Sequence, residues 1–138
     1  AFREAWKSRR CLVPATAFYE WQVPADGSPK RPHAIASSSG ELLALGGIWE
    51  RWRDPADGTE VRTVAIVTTD ANELMEPIHH RMPVIVPSEA WEQWLGAAVP
   101  PASLLRPYAA DRMQAWRVST VVNNARNDRP ECLVPLGN

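Results

Sequence analysis

The chain has 138 residues, 45% of them hydrophobic and 22% charged, and a formal net charge of -1. That is the composition of one ordinary globular domain. It excludes a disordered chain, a polycation that binds nucleic acid by bulk charge, and, for want of a long apolar run, a membrane-spanning helix.

In chain order, Phe2 to Arg9 reads as a short amphipathic helix with Phe2 and Trp6 on one face, closed by Arg9-Arg10 and stopped by Pro14. No signal-peptide pattern precedes it, and without an initiator Met the chain reads as the front of a fragment. Cys11 to Gln22 is a strand region, and Val23 to Pro32, with three prolines and Gly27, is a loop. His33 to Ala36 is a short strand, and Ser37 to Gly40 a turn. Leu42 to Arg53 is a long strand interrupted at Gly46-Gly47, turned at Asp54–Gly58 and answered by Glu60 to Thr69. Ala71 to Pro77 is expected to make a helical turn or two, and Met82 to Val86 a strand. Ser88 is placed to N-cap a helix that runs to Leu95 and stops at Gly96. Pro100 to Ala110 is a second short helix, Met113 to Val122 the last strand, and the tail irregular. The pattern predicts one α+β domain over 1–138, dominated by a mixed or antiparallel sheet.

Two stretches carry candidate chemistry. Phe18-Tyr19-Glu20-Trp21 sets one carboxylate among three aromatics; on a strand, Phe18 and Glu20 share a face and Tyr19 and Trp21 take the other. A carboxylate in apolar surroundings suits general acid-base work; the same residue also reads as a rim carboxylate paired with an arginine. Ile78-His79-His80-Arg81-Met82-Pro83 holds two of the three histidines and an arginine suited to a phosphate or carboxylate. On a strand, adjacent side chains diverge, so one histidine at most would face a pocket, and His80 would point away from it. The hydroxyl of Thr68, at a strand end, would orient a histidine or cap the next helix. Cys11, His33, His79 and Cys132 have no zinc-ligand spacing, and no cofactor or metal is expected. Thirteen arginines suit phosphate contact and seven tryptophans include possible stacking platforms. The two cysteines, too few for a disulfide framework, point to a cytoplasmic setting.

These stretches, with Phe2-Arg3-Glu4-Ala5-Trp6, Arg10-Cys11-Leu12-Val13-Pro14-Ala15, Leu45-Gly46-Gly47-Ile48-Trp49-Glu50, Thr68-Thr69-Asp70-Ala71 and Val118 to Asn123, resemble the SRAP (SOS-response-associated peptidase) family in family order. The resemblance implies an open-barrel, mainly antiparallel α+β fold with short flanking helices. It also implies a DNA-damage protein that binds single-stranded DNA and captures abasic sites covalently through an N-terminal cysteine, with self-processing peptidase activity. That activity is of hydrolase or lyase class, and the protein would join the nucleoid when on DNA. By that resemblance Glu20 and His79 are catalytic, and Arg81, Trp21 and Thr68 contact DNA. The family's N-terminal cysteine and the Asn-Ala-Arg motif that follows it have no counterpart here. Asn124-Ala125-Arg126 repeats the letters in the wrong place, and Cys11 and Cys132 are internal. The expectation is a domain lacking its N-terminal portion, inactive in crosslinking on its own and with an exposed sheet edge. Two other readings stay open: a non-catalytic single-strand-binding module, and a hydrolase or peptidase using Glu20 and His79. No oligomeric state is specified.

Overall fold

The computed structural model describes residues 2–137. A short helix α1 (Arg3–Ser8) leads into β1 (Arg10–Ala15). There follow β2 (Phe18–Gln22), β3 (Arg31–Ser37), β4 (Leu43–Arg53), β5 (Glu60–Ile66), β6 (Thr68–Asp70), β7 (Arg81–Pro83), α2 (Trp91–Leu95) and β8 (Met113–Arg117). The strands form three antiparallel sheets, ordered β1-β4-β5, β2-β3-β8 and β6-β7. The fold is α+β, as expected, with strands dominant, helices short and no closed barrel among the described residues. No helix among them is long and apolar enough to cross a membrane.

Several boundaries differ from the sequence reading, each for a physical reason. The region Cys11 to Gln22 is two strands: the chain bends at Thr16-Ala17, and β1 joins β4 while β2 joins β3. Pro14 fits β1 because that strand lies at a sheet edge. Gly46-Gly47 does not interrupt β4. A Cβ on Gly46 would stand 2.7 Å from Cζ2 of Trp94, so the glycine is where the strand and a buried indole meet closely. The partner of β4 ends at Ile66; Thr68–Asp70 leaves it to pair with Arg81–Pro83. Ala71 to Pro77 forms turns, and Pro100 to Ala110 holds a 3₁₀ turn at Ala102–Leu104 and the start of another at Ala110–Arg112. Ser88 makes no capping bond; a 3₁₀ turn at Ser88–Ala90 runs into α2. The last strand stops at Arg117, followed by a 3₁₀ turn at Thr120–Asn123.

Two clusters make the core. Ile35, Leu43, Leu45, Met75, Met82, Ile85 and Met113 form one, with Phe18 and Ile78 packed against it; Val84, Val86, Ala90 and Trp94 form the other, with Trp6 and Leu12. Arg10 holds the second together. Its buried guanidinium donates to the carbonyls of Trp94 (2.6 Å), Lys7 (2.8 Å), Ala98 (3.0 Å), Trp6 and Gly96. It thus caps the C-terminal ends of α1 and α2, where carbonyls lack partners and the dipole favours a cation. Trp94 stands edge-on to Trp6, with ring centroids 5.4 Å apart, and donates to Cys11 O.

The distal half of β4 and all of β5 form an arm outside the core. Trp52, Val61 and Val64 are exposed on it, and β5 is the outer strand of its sheet. Phe2, on the face of α1 that carries Trp6, is also exposed, beside Ile66 and Val67.

Candidate active site

The alternation read along β2 holds. Phe18 packs into the first core cluster. On the opposite face Tyr19 and Trp21 stand with ring centroids 6.3 Å apart, the Tyr19 hydroxyl donating to Cys132 O and the Trp21 indole to Asn123 Oδ1. Trp116 on β8 donates to Leu133 O, so the C-terminal tail covers this face. Burial by the tail, together with Cys132 and Asp128, pushes the Tyr19 phenol above its usual range. The Trp21 indole N–H is already committed to the tail, leaving the ring to do any stacking.

Glu20 is half-buried, and its carboxylate accepts from the Trp21 amide at 3.0 Å. β2 is the edge strand of its sheet. Glu20 lies between Phe18 and Gln22 on one face. One neighbour reaches the segment that leads to His79: Gln22 donates to Pro77 O at 2.9 Å, while Phe18 and Ile78 each pack against the first core cluster. The end of β2 is therefore tied to the segment before His79.

That segment is anchored by Asn72, which sequence reasoning missed. Its buried side chain accepts from Met75 N and donates to Tyr108 O at 2.7 Å. The available signal was an Asx residue opening a turn after a strand.

His79 and His80 do not diverge. Their rings stack with centroids 4.5 Å apart and planes 22° apart. Both residues precede β7 in a bend, where strand alternation does not apply. The Nδ1 of His79 lies 3.0 Å from the Arg81 amide and 3.1 Å from the Arg81 carbonyl. Nδ1 can accept from the first in one tautomer and donate to the second in the other, so both contacts orient the ring.

Arg81 and Thr68 are brought together across the β6-β7 pair. The Arg81 guanidinium contacts Asp70 at 2.8 Å, Thr68 O at 2.9 Å and Thr68 Oγ1 at 3.2 Å. Thr68 neither caps a turn nor meets a histidine in these contacts. Cys11 lies half-buried in β1, and burial pushes its thiol above the ordinary value, the opposite of an activated nucleophile. No group of three or more His, Cys, Asp or Glu side chains among the described residues could hold a metal ion.

The family model for SOS response associated peptidase (SRAP) matches residues 1–125. The chain is similar to the abasic site processing protein YoqW of Bacillus subtilis (strain 168), at 42% identity over 137 residues, which cover 96% of this chain and 60% of that protein. It is also similar to the abasic site processing protein HMCES of Gallus gallus, at 40% identity over 94% of this chain and 44% of that one. A crystal structure of a protein from Bacteroides thetaiotaomicron superposes with a TM-score of 0.87 at 34% identity, covering 98% of this chain and 60% of that one. The chain thus spans 60% or less of the length of these relatives. Matched by the family model over most of its residues and by relatives above 30% identity, the chain belongs to the SRAP family.

Proposed function

We propose that the chain is the body of a DNA-damage protein that processes abasic sites in single-stranded DNA, with Glu20 and His79 as its proton-transfer groups. One observation carries the reading: Gln22, two residues from Glu20 on the same face of β2, bonds the segment leading to His79. The relatives named abasic site processing proteins support the substrate class.

In this chemistry the amine of an N-terminal cysteine attacks the aldehyde carbon of the opened sugar. Loss of water from the adduct gives an imine, and addition of the cysteine thiol to the imine carbon closes a thiazolidine. Glu20 gives the proton to the departing hydroxyl and takes one from the attacking amine. His79, its ring oriented by the Arg81 backbone, assists opening of the sugar ring. Arg81, Thr68 and the Trp21 ring lie along the DNA. Self-processing that exposes the cysteine accounts for the peptidase in the family's name. Cys11 and Cys132 are internal, so neither offers the paired amine and thiol that a thiazolidine needs.

The test joins the chain to an N-terminal portion beginning with cysteine and follows single-turnover crosslinking to abasic single-stranded DNA. Glu20→Gln and His79→Ala each slow the reaction by about 100- to 10,000-fold with little loss of affinity. His80→Ala is the control for register: a slow His80→Ala beside a normal His79→Ala reverses the roles. If neither Glu20 nor His79 affects the rate, the chemistry assigned here is wrong.

A further inference from the structure

The sheet register sets three polar residues in one row across β2, β3 and β8: Glu20 opposite His33, and His33 opposite Arg117. Directly opposed residues share a face, with Cβ atoms about 4.5–5.5 Å apart. The next row inward on that face, Phe18, Ile35 and Ala115, belongs to the core. The polar row is therefore the rim where the core face reaches solvent, with Glu20 and His33 half-buried and Arg117 exposed.

The middle of the row is fixed in place. His33 Nδ1 lies 3.0 Å from the Arg31 carbonyl and donates to it, which fixes the ring. The end of the row is an uncommitted cation. Among the described residues Arg117 has neither an ion pair nor a side-chain hydrogen bond, whereas Arg81 on β7 is matched by Asp70 and tied to Thr68. Two arginines thus flank the histidine and glutamate stretches, and the one with its charge free is on β8.

We propose that Arg117 is a phosphate contact that positions a single DNA strand over Glu20. The ligand class is a phosphodiester backbone. The assignment rests on the reading of single-stranded DNA as the substrate, and places its track across the β2-β3-β8 rim in addition to the Arg81 side. A guanidinium without a carboxylate partner releases a counterion from DNA for each phosphate it meets, which an arginine already paired with Asp70 does less well.

The experiment measures fluorescence anisotropy of the chain on single-stranded DNA with a central tetrahydrofuran abasic analogue, across a salt series. Wild type binds with an affinity that falls as salt rises. Arg117→Gln lowers the magnitude of the log-log salt slope by about 0.7, the loss of one phosphate on a single strand, and weakens binding alike on all sequences. Arg117→Lys keeps the slope. A salt-dependent wild type with an unaltered Arg117→Gln overturns this assignment and leaves the substrate reading standing. A wild type that does not bind single-stranded DNA overturns both.

Discussion

Replacing Arg10 by methionine keeps an unbranched chain of similar length and removes every donor. Five carbonyls lose their partner. Those of Lys7, Gly96 and Ala98 belong to exposed residues and can turn to water, whereas Trp94 is fully buried and Trp6 half-buried. Two enclosed carbonyls left unsatisfied, at about 1–3 kcal/mol each, put the cost near 3–4 kcal/mol. That is a large share of a typical domain stability of about 5–15 kcal/mol, and corresponds to roughly 10 °C in Tm. Arg10→Lys keeps the charge but offers three donors from one point, so it falls between methionine and wild type. Urea unfolding followed by tryptophan fluorescence reads the change, since Trp6 and Trp94 adjoin the guanidinium. A loss below about 1 kcal/mol for Arg10→Met, with an unchanged m-value, refutes the claim that this side chain secures the two helix ends.

Gly46→Ala drives a methyl to 2.7 Å and 2.9 Å from two ring atoms of fully buried Trp94, and should cost about 1–3 kcal/mol with a changed near-UV signal from that indole; an unchanged signal counts against the close approach. Asp70→Asn releases Arg81 from its ion pair, so binding to single-stranded DNA should tighten and its salt slope steepen; the same anisotropy series reads both, and an unchanged slope shows that Arg81 meets no phosphate. Alkylation of Cys11 should have its midpoint above the ordinary thiol value of 9.0, because burial disfavours the thiolate. The folded thiol holds its proton longer than the unfolded one, so its contribution to stability is present below the ordinary value and lost as pH rises through the folded one. A midpoint at or below 9.0 for alkylation of the folded protein contradicts it.

What the sequence revealed was local. The β4-β5 hairpin was legible from two apolar runs flanking Asp54–Gly58, where Gly58 takes a φ of 76°. The two-faced pattern of Phe18 to Trp21 needed only period-two alternation. The remainder depended on distant partners. Nothing near Thr16-Ala17 tells that β1 and β2 join different sheets; that comes from pairing with β4 and β3. Arg10 read as a helix-closing charge, yet its strongest role is with carbonyls 84 to 88 positions away. The histidine pair was misjudged because strand alternation does not hold one residue before the strand begins. His33 carried no local signal, and only the cross-strand register puts it beside Glu20.

The first core cluster contains all three methionines of the chain, Met75, Met82 and Met113, and two of their sulfurs lie within 3.4 Å of Asn72 nitrogens. The floor beneath the histidine segment is therefore thioether, soft enough to accommodate small shifts of that segment. It is also oxidisable. A sulfoxide is polar and bulkier, and Met75 and Met82 have almost no exposure through which an oxidant could arrive. Oxygen is added there only during excursions that open the core, and the resulting polar group prevents clean reclosure. Peroxide would thus leave a lasting record of each transient opening on this side of the molecule, whereas the second cluster contains no methionine to be marked.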